Sequence, residues 1–313
     1  MTTASPQLLI ARRGRQVRAQ AITGWLFCLP FVVLFLLVFI APIISSGWAA
    51  FHSMQSVGGG LFGGGEQEEV FVGLRNFIAA ANNPAFWSGM GRVTLYGALQ
   101  IPIMIGVALA LALLLDAGLV RRTGALRLLY FLPFAIPGII AAIVWTYLYV
   151  PDISPFAGAL PSIGNDSFFL SPSIILVSMG NMTTWTYTGY NMLIFLAALK
   201  AIPSDLYEAA RLDGASGWQI ATRIKIPMVR GAALLAVLLS IIGTVQLFNE
   251  PIVLRTVASW RGNDFTPMML AYSSMMGQSS PSGAGPASAI SILMAVIAGG
   301  LAAVYAAIQR KVD

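Results

Sequence analysis

The chain offers little to covalent or metal chemistry. Its 313 residues include one histidine, His52, and one cysteine, Cys28. A hydrolytic triad or a multi-histidine metal site would have to rest on His52 alone. One cysteine excludes an internal disulfide and any cysteine metal cluster. Cys28 lies in an apolar run, where a small buried hydrophobe is its ordinary role. The Gly-rich stretch Gly58–Gly65 has no strand pattern before it and no Lys after it, so it reads as a flexible linker and not a phosphate loop. The residues with chemical reach are polar side chains set inside apolar runs, and one charged loop with helix caps.

Trp185, Tyr187, Tyr190 and Asn191 fall in one apolar run, and Ser240, Thr244, Gln246, Asn249 and Glu250 in another. Polar groups at membrane depth are costly and mark solute pathways. Aromatic faces stack on sugar rings, and amides hydrogen-bond hydroxyls. The same residue types also serve as interfacial anchors and as glue between helices. The deep interior carries no Lys or Arg. This favours a neutral polyhydroxylated solute over a phosphate ester, although a helix N-terminus can also bind anions.

The loop is KAIPSDLYEAARLDGASGWQIATRIKIPMVRG, residues 200 to 231. Ser204 is expected as an N-cap, with Asp205 and Glu208 suiting the positive end of the helix that follows. Gly214 is a natural helix stop. Ser216 and Gln219 have capping-box spacing and start a second helix, expected to close before Pro227. Small Ala209, Ala210 and Ala215 allow close approach, and Glu208, Arg211 and Asp213 offer charge. Two uses fit this pattern: docking onto another protein, or an amphipathic connector lying on the membrane.

The elements that position these residues are membrane helices. Hydrophobic residues make up 57% of the chain and charged residues 10%, against roughly 25% in a soluble domain. Six stretches are long and apolar enough to span: about 22–45, 88–115, 126–150, 172–199, 229–252 and 287–308. The first is read as a retained helix and not a signal peptide. The strict alternation of barrel strands is absent. Pro30, Pro42, Pro102, Pro133, Pro137 and Pro251 sit inside these runs and predict kinks. Fourteen of the eighteen Lys and Arg residues fall on one side of a six-span topology. That side, with both termini, is therefore expected in the cytoplasm. The expected organisation is a cytoplasmic tail over 1–21, a six-helix body over 22–308 with a cytoplasmic loop at 200–228, and a tail over 309–313.

The loop resembles the motif of membrane subunits of binding-protein-dependent ABC importers: EAA, three residues, Gly, nine residues, Ile, one residue, Leu, Pro. Glu208-Ala209-Ala210 precede Gly214, and Ile224-Lys225-Ile226-Pro227 close the pattern, with Ile226 in place of Leu. Asp213 and Ala215 match the EAA–DGA form of sugar permeases. Phe71–Phe77, Phe131-Leu132-Pro133, Gly189–Met192 and Leu199–Pro203 are similar to segments of the maltose-permease-like branch. The sequence departs from that branch after Thr256, where Gly-Gly-Pro is absent.

This resemblance implies an all-α, six-span type I importer permease in the bacterial plasma membrane. It implies that Glu208, Ala209, Ala210, Asp213, Gly214, Ala215, Ile224 and Pro227 form a coupling surface for a cytoplasmic ATPase subunit. The chain would bind no cofactor itself, ATP being held by two such partners. A second permease and an extracytoplasmic solute-binding protein would complete the assembly. The implied cargo is an oligosaccharide or polyol, with glycerol-phosphate and amino acids left open. A self-contained secondary transporter is the competing reading; Glu250, the one acid near a span interior, would then be its ion-coupling group.

Overall fold

The structure is a computed structural model. It describes residues 6–57, 66–118, 122–151, 154–155, 168–258, 260 and 262–312. The chain is mostly helical. Helix α1 (Pro6–Phe35) runs through one wide, π-type turn at Leu36–Ile40 into α2 (Ala41–Ala50). The wide turn has a cause in Pro42, which cannot donate a hydrogen bond and crowds the preceding turn. The ladder adapts there, and the Ala41 N–H reaches back five residues to the Leu36 carbonyl.

A hairpin follows: β1 (His52–Val57) pairs antiparallel with β2 (Glu66–Phe71), His52 opposite Phe71. The linker expected at Gly58–Gly65 lies outside the described residues. The hairpin is seated by Asn76 on α3 (Arg75–Ala81), whose amide donates to the carbonyls of Ala50 (2.9 Å) and His52 (2.8 Å). The next helices are α4 (Pro84–Asp116), α5 (Thr123–Ala135), α6 (Gly138–Tyr149) and α7 (Ile175–Lys200). The loop helices α8 (Ser204–Leu212), α9 (Gly217–Ile220) and α10 (Ile226–Met228) come next. Helices α11 (Arg230–Val245), α12 (Asn249–Leu254), α13 (Pro267–Met275) and α14 (Ala284–Val312) complete the order.

Four helical stretches have the length and composition to cross a membrane: Gln20–Ala50, Pro84–Asp116, Arg230–Leu254 and Ala284–Ala307. Helices α5 and α6 add a fifth only if taken together, because they are bent by 94° at Ile136-Pro137. The straight third helix expected over 126–150 is therefore a broken one. Pro137 at the break has no N–H to continue the ladder, and the residue before a proline is pushed out of the helical region. Helix α7, expected as the fourth span, is long enough but too polar to rank with the other four.

Helix α7 lies at the centre. Its most extensive packing is against α4, with α5 and α11 also against it. Ala108 and Ala112 of α4 and Met192, Phe195, Leu196 and Leu199 of α7 are buried in one core cluster. Gly189 sets the crossing with α5, because a Cβ there would overlap the Tyr130 carbonyl and the Phe131 nitrogen. Backbone cannot rotate aside as a side chain can. Gly189→Ala is expected to destabilise the protein by about 1–3 kcal/mol, the usual cost of overpacking. Thermal unfolding in detergent would read this as a lowered midpoint.

Candidate functional site

The two broken spans meet. The Gln246–Phe248 segment interrupts the fifth span between α11 and α12, and Ile136-Pro137 interrupts the third. The Asn249 amide lies against Gly138, where a Cβ would come within 2.7 Å of it. Beside the second break, α4, α5, α7, α11 and α12 line a cavity of about 460 Å³. Tyr187, Tyr190, Asn191, Ser240, Thr244, Gln246, Asn249 and Glu250 all line it. Two sequence-separated runs thus contribute to one wall. Trp185 is not on that wall; its ring meets Trp145 edge-on at 5.8 Å.

The cavity also has residues that sequence reasoning missed. Phe134 stacks on Tyr190 with ring centroids 4.7 Å apart and meets Tyr187 edge-on at 5.8 Å. These rings make an aromatic corner supplied by α5 and α7. The Tyr96 hydroxyl donates to Thr183 Oγ1 at 2.6 Å, and Thr183 Oγ1 lies 3.2 Å from Glu250 Oε1. The Asn191 amide donates to the Tyr187 carbonyl at 3.0 Å. Its nitrogen also donates to Met104 Sδ on α4 at 3.7 Å, and its amide oxygen is the atom left to accept. Among the described residues, the lining holds one carboxylate, Glu250, and no Lys or Arg. Such a wall offers hydroxyl, amide and aromatic surface, as a polyhydroxylated ring requires. Tyr96, Thr183 and Phe134 lack a sequence signal because they fall at scattered points of otherwise apolar or mixed helices.

The loop at the other end of α7 folds largely as its caps dictate. Helix α8 begins after Pro203, which occupies the N-cap position; Ser204 is already helical and its hydroxyl points to Asp205. The expectation of Ser204 as N-cap is corrected by one residue. At the far end, Gly214 takes φ +80°, the Ala215 N–H reaches the Ala210 carbonyl (2.9 Å) and the Gly214 N–H reaches that of Arg211 (3.0 Å). This is a complete left-handed helix stop, which glycine adopts without steric cost. Ser216 and Gln219 make both bonds of the capping box, at 3.3 and 2.7 Å.

The second helix does not close before Pro227. A wide turn at Ala221–Lys225, with the Ile226 N–H bonded to the Ala221 carbonyl, carries the chain through Pro227. The Val229 N–H then bonds to Lys225, and the Ala233 N–H to Val229. The loop runs almost without interruption into α11 and so to the cavity wall at Ser240 and Thr244.

Glu208, Ala209, Asp213, Gly214 and Pro227 are exposed, while Ala210, Ala215 and Ile224 are half-buried. Beside them stand two large apolar side chains, Leu212 at 89% exposed and Trp218 at 77%. Lys225 and Tyr207 instead face inward. The Lys225 ammonium lies 5.0 Å from the Tyr207 ring centroid. Burial, with the Asp116 carboxylate nearby, pushes the Tyr207 phenol above its ordinary range.

Long apolar helices around a polar cavity, with an exposed two-helix loop at one end, define a membrane permease subunit. The chain belongs to the family of binding-protein-dependent transport system inner membrane components, whose family model matches residues 103–313. It is 31% identical over 246 residues to the lactose transport system permease protein LacF of Rhizobium radiobacter, covering 76% of this chain and 78% of that one. It is 29% identical over 242 residues to the arabinooligosaccharides transport system permease protein AraP of Bacillus subtilis, covering 76% and 72%. A solved bacterial ABC transporter involved in import of the acidic polysaccharide alginate has the same fold. There the TM-score is 0.73 at 19% identity, over 96% of this chain and 99% of that one.

Replacing Ser216 by Ala removes one half of the capping box. The expected cost is about 1 kcal/mol, felt locally. Amide exchange at Gln219 and Ile220 should quicken about fivefold, with exchange in α4 unchanged.

Proposed function

We propose that the chain is one of two permease subunits of an ATP-driven importer and forms half of the pathway for an oligosaccharide or polyol. An extracytoplasmic binding protein delivers the cargo, and two cytoplasmic ATPase subunits supply the energy. The chain binds no cofactor of its own. Its body, 22–308, crosses the bacterial plasma membrane six times, through α1–α2, α4, α5–α6, α7, α11–α12 and α14. The tails at 1–21 and 309–313 are cytoplasmic. Fourteen of eighteen cationic residues on that side support this orientation.

The observation that carries the cargo reading is the cavity wall. Tyr187, Tyr190, Thr244, Gln246, Asn249 and Glu250 surround one space with no cation among them. Lactose and arabinooligosaccharide permeases among the relatives support the same class. Trp185 packs edge-on against Trp145, off the cavity wall. The observation that carries ATPase docking is the free apolar pair Leu212 and Trp218 beside exposed Glu208 and Asp213. Docked there, the partner's nucleotide state biases the membrane helices between inward and outward access.

The test is reconstitution of this chain with its second permease, ATPase subunits and binding protein in proteoliposomes. Glu208→Lys is expected to abolish ATP-driven uptake while insertion stays intact; normal uptake by that variant overturns the docking role. Tyr190→Ala is expected to lower sugar uptake about tenfold, the loss of roughly 1.4 kcal/mol of stacking. Gradient-driven uptake by this chain alone, without ATP, overturns the importer reading.

A further inference from the structure

Asp116 is the last residue of α4, and its two carboxylate oxygens are divided between two cations. Oδ1 lies 3.0 Å from Lys200 Nζ, and Oδ2 lies 2.6 Å from Lys225 Nζ. The Asp116 side chain is 7% exposed and that of Lys225 13%, so this second pair is withdrawn from water. Lys200 closes α7, and Lys225 sits in the wide turn of the loop, its ammonium near the Tyr207 ring of α8. One carboxylate therefore joins the end of α4, the end of α7 and the wide turn of the loop, and Lys225 in turn meets α8 at Tyr207. Leu115, Leu199, Ile202 and Val229 around these positions are buried in one core.

Helix α8 has no buried residue, and α9 has only Ile220. Lys225 therefore adds an ion pair to α4 beside the apolar contacts that Tyr207, Ile202 and Val229 make with the same core. Helix α4 continues as one unbroken rod from Asp116 to Met104, Gln100 and Tyr96 on the cavity wall, about 18 to 30 Å away. A buried ion pair contributes little net stability but fixes a geometry. The Tyr207 hydroxyl beside the cluster is buried without a hydrogen-bond partner among the described residues. A polar group left unpaired in one arrangement is one that a second arrangement can satisfy.

We propose that Asp116 is a positioning residue for coupling: through Lys225 it passes displacement of the ATPase-facing loop to α4 and so to the cavity wall. Asp116, Lys200 and Lys225 are not among the residues that line the cavity. This rests on the reading of 200–228 as the docking loop.

The test uses the full transporter in proteoliposomes and measures cargo moved per ATP hydrolysed. Asp116→Asn is expected to lower that ratio at least fivefold in assembled complexes, with ATP hydrolysis retained. Asp116→Glu is expected to restore it to within twofold. The double variant Asp116→Asn/Lys225→Gln leaves no charge of that pair unmatched, and it is expected to be as uncoupled as Asp116→Asn. A wild-type ratio in either Asn variant overturns the proposal. Failure of both to assemble also overturns it, by assigning the cluster to folding alone. Glu208→Lys run in parallel separates the two readings: if it uncouples and Asp116→Asn does not, docking stands and the Asp116 role falls.

Discussion

A peptide group inside hydrocarbon has no water to turn to, and the arrangement of this chain follows from where that constraint is relaxed. Most spans obey it by running as unbroken helices. Pro30 and Pro102 are absorbed within such helices. The ladder is interrupted outright at Ile136-Pro137 and at Gln246–Phe248; the second interruption lines the cavity, and the first meets that wall where Gly138 lies against Asn249. Freed groups there find partners. The Leu247 N–H bonds to the Thr244 carbonyl, and the Leu247 carbonyl accepts from the Thr266 hydroxyl at 3.0 Å. Irregular backbone at that depth is tolerated because it is walled in by protein and lines a polar space.

The same constraint explains why α7 is central. Its Asn181, Thr183, Tyr187, Tyr190 and Asn191 would be expensive against lipid tails. Surrounded by α4, α5 and α11, they instead bond to Tyr149, Tyr96, Met104 and one another's backbone. Polarity that disqualifies α7 as a lipid-facing helix suits it to a solute path. Glycine at 189 lets α5 close over it, which brings Phe134 onto Tyr190.

Much of this was legible in the residues. The helical class, four of the expected spans and two of the loop's helix signals follow from local rules: apolar length, the Gly214 stop, the Ser216–Gln219 box. The polar residues of two distant runs were recognisable as pathway candidates because intramembrane polarity is rarely idle. What could not be read was tertiary. The bend at Pro137 has the sequence of an ordinary kink; that it is a 94° turn with α6 packed on α12 is a tertiary fact. Ser204 loses the cap to Pro203 by one residue, a shift that propensity cannot resolve. Asp116 and Lys225 are 109 residues apart, and their signs alone do not announce a pair. The hairpin at 52–71 was hidden because its strands are short and polar, with a glycine stretch between them.

The wide turn at Ala221–Lys225 has a consequence for how this loop can vary. One surplus residue in a helical turn rotates everything beyond it by about 100° about the axis. The face that α9 presents outward and the face that Lys225 presents inward therefore hold a fixed phase relative to α11. A side-chain replacement leaves that phase alone, whereas a single insertion or deletion between Trp218 and Lys225 would swing Trp218 by about 100° relative to Lys225 and α11. Length in this stretch is thus a clockwork quantity: the number of residues, more than their identity, sets which way each face looks.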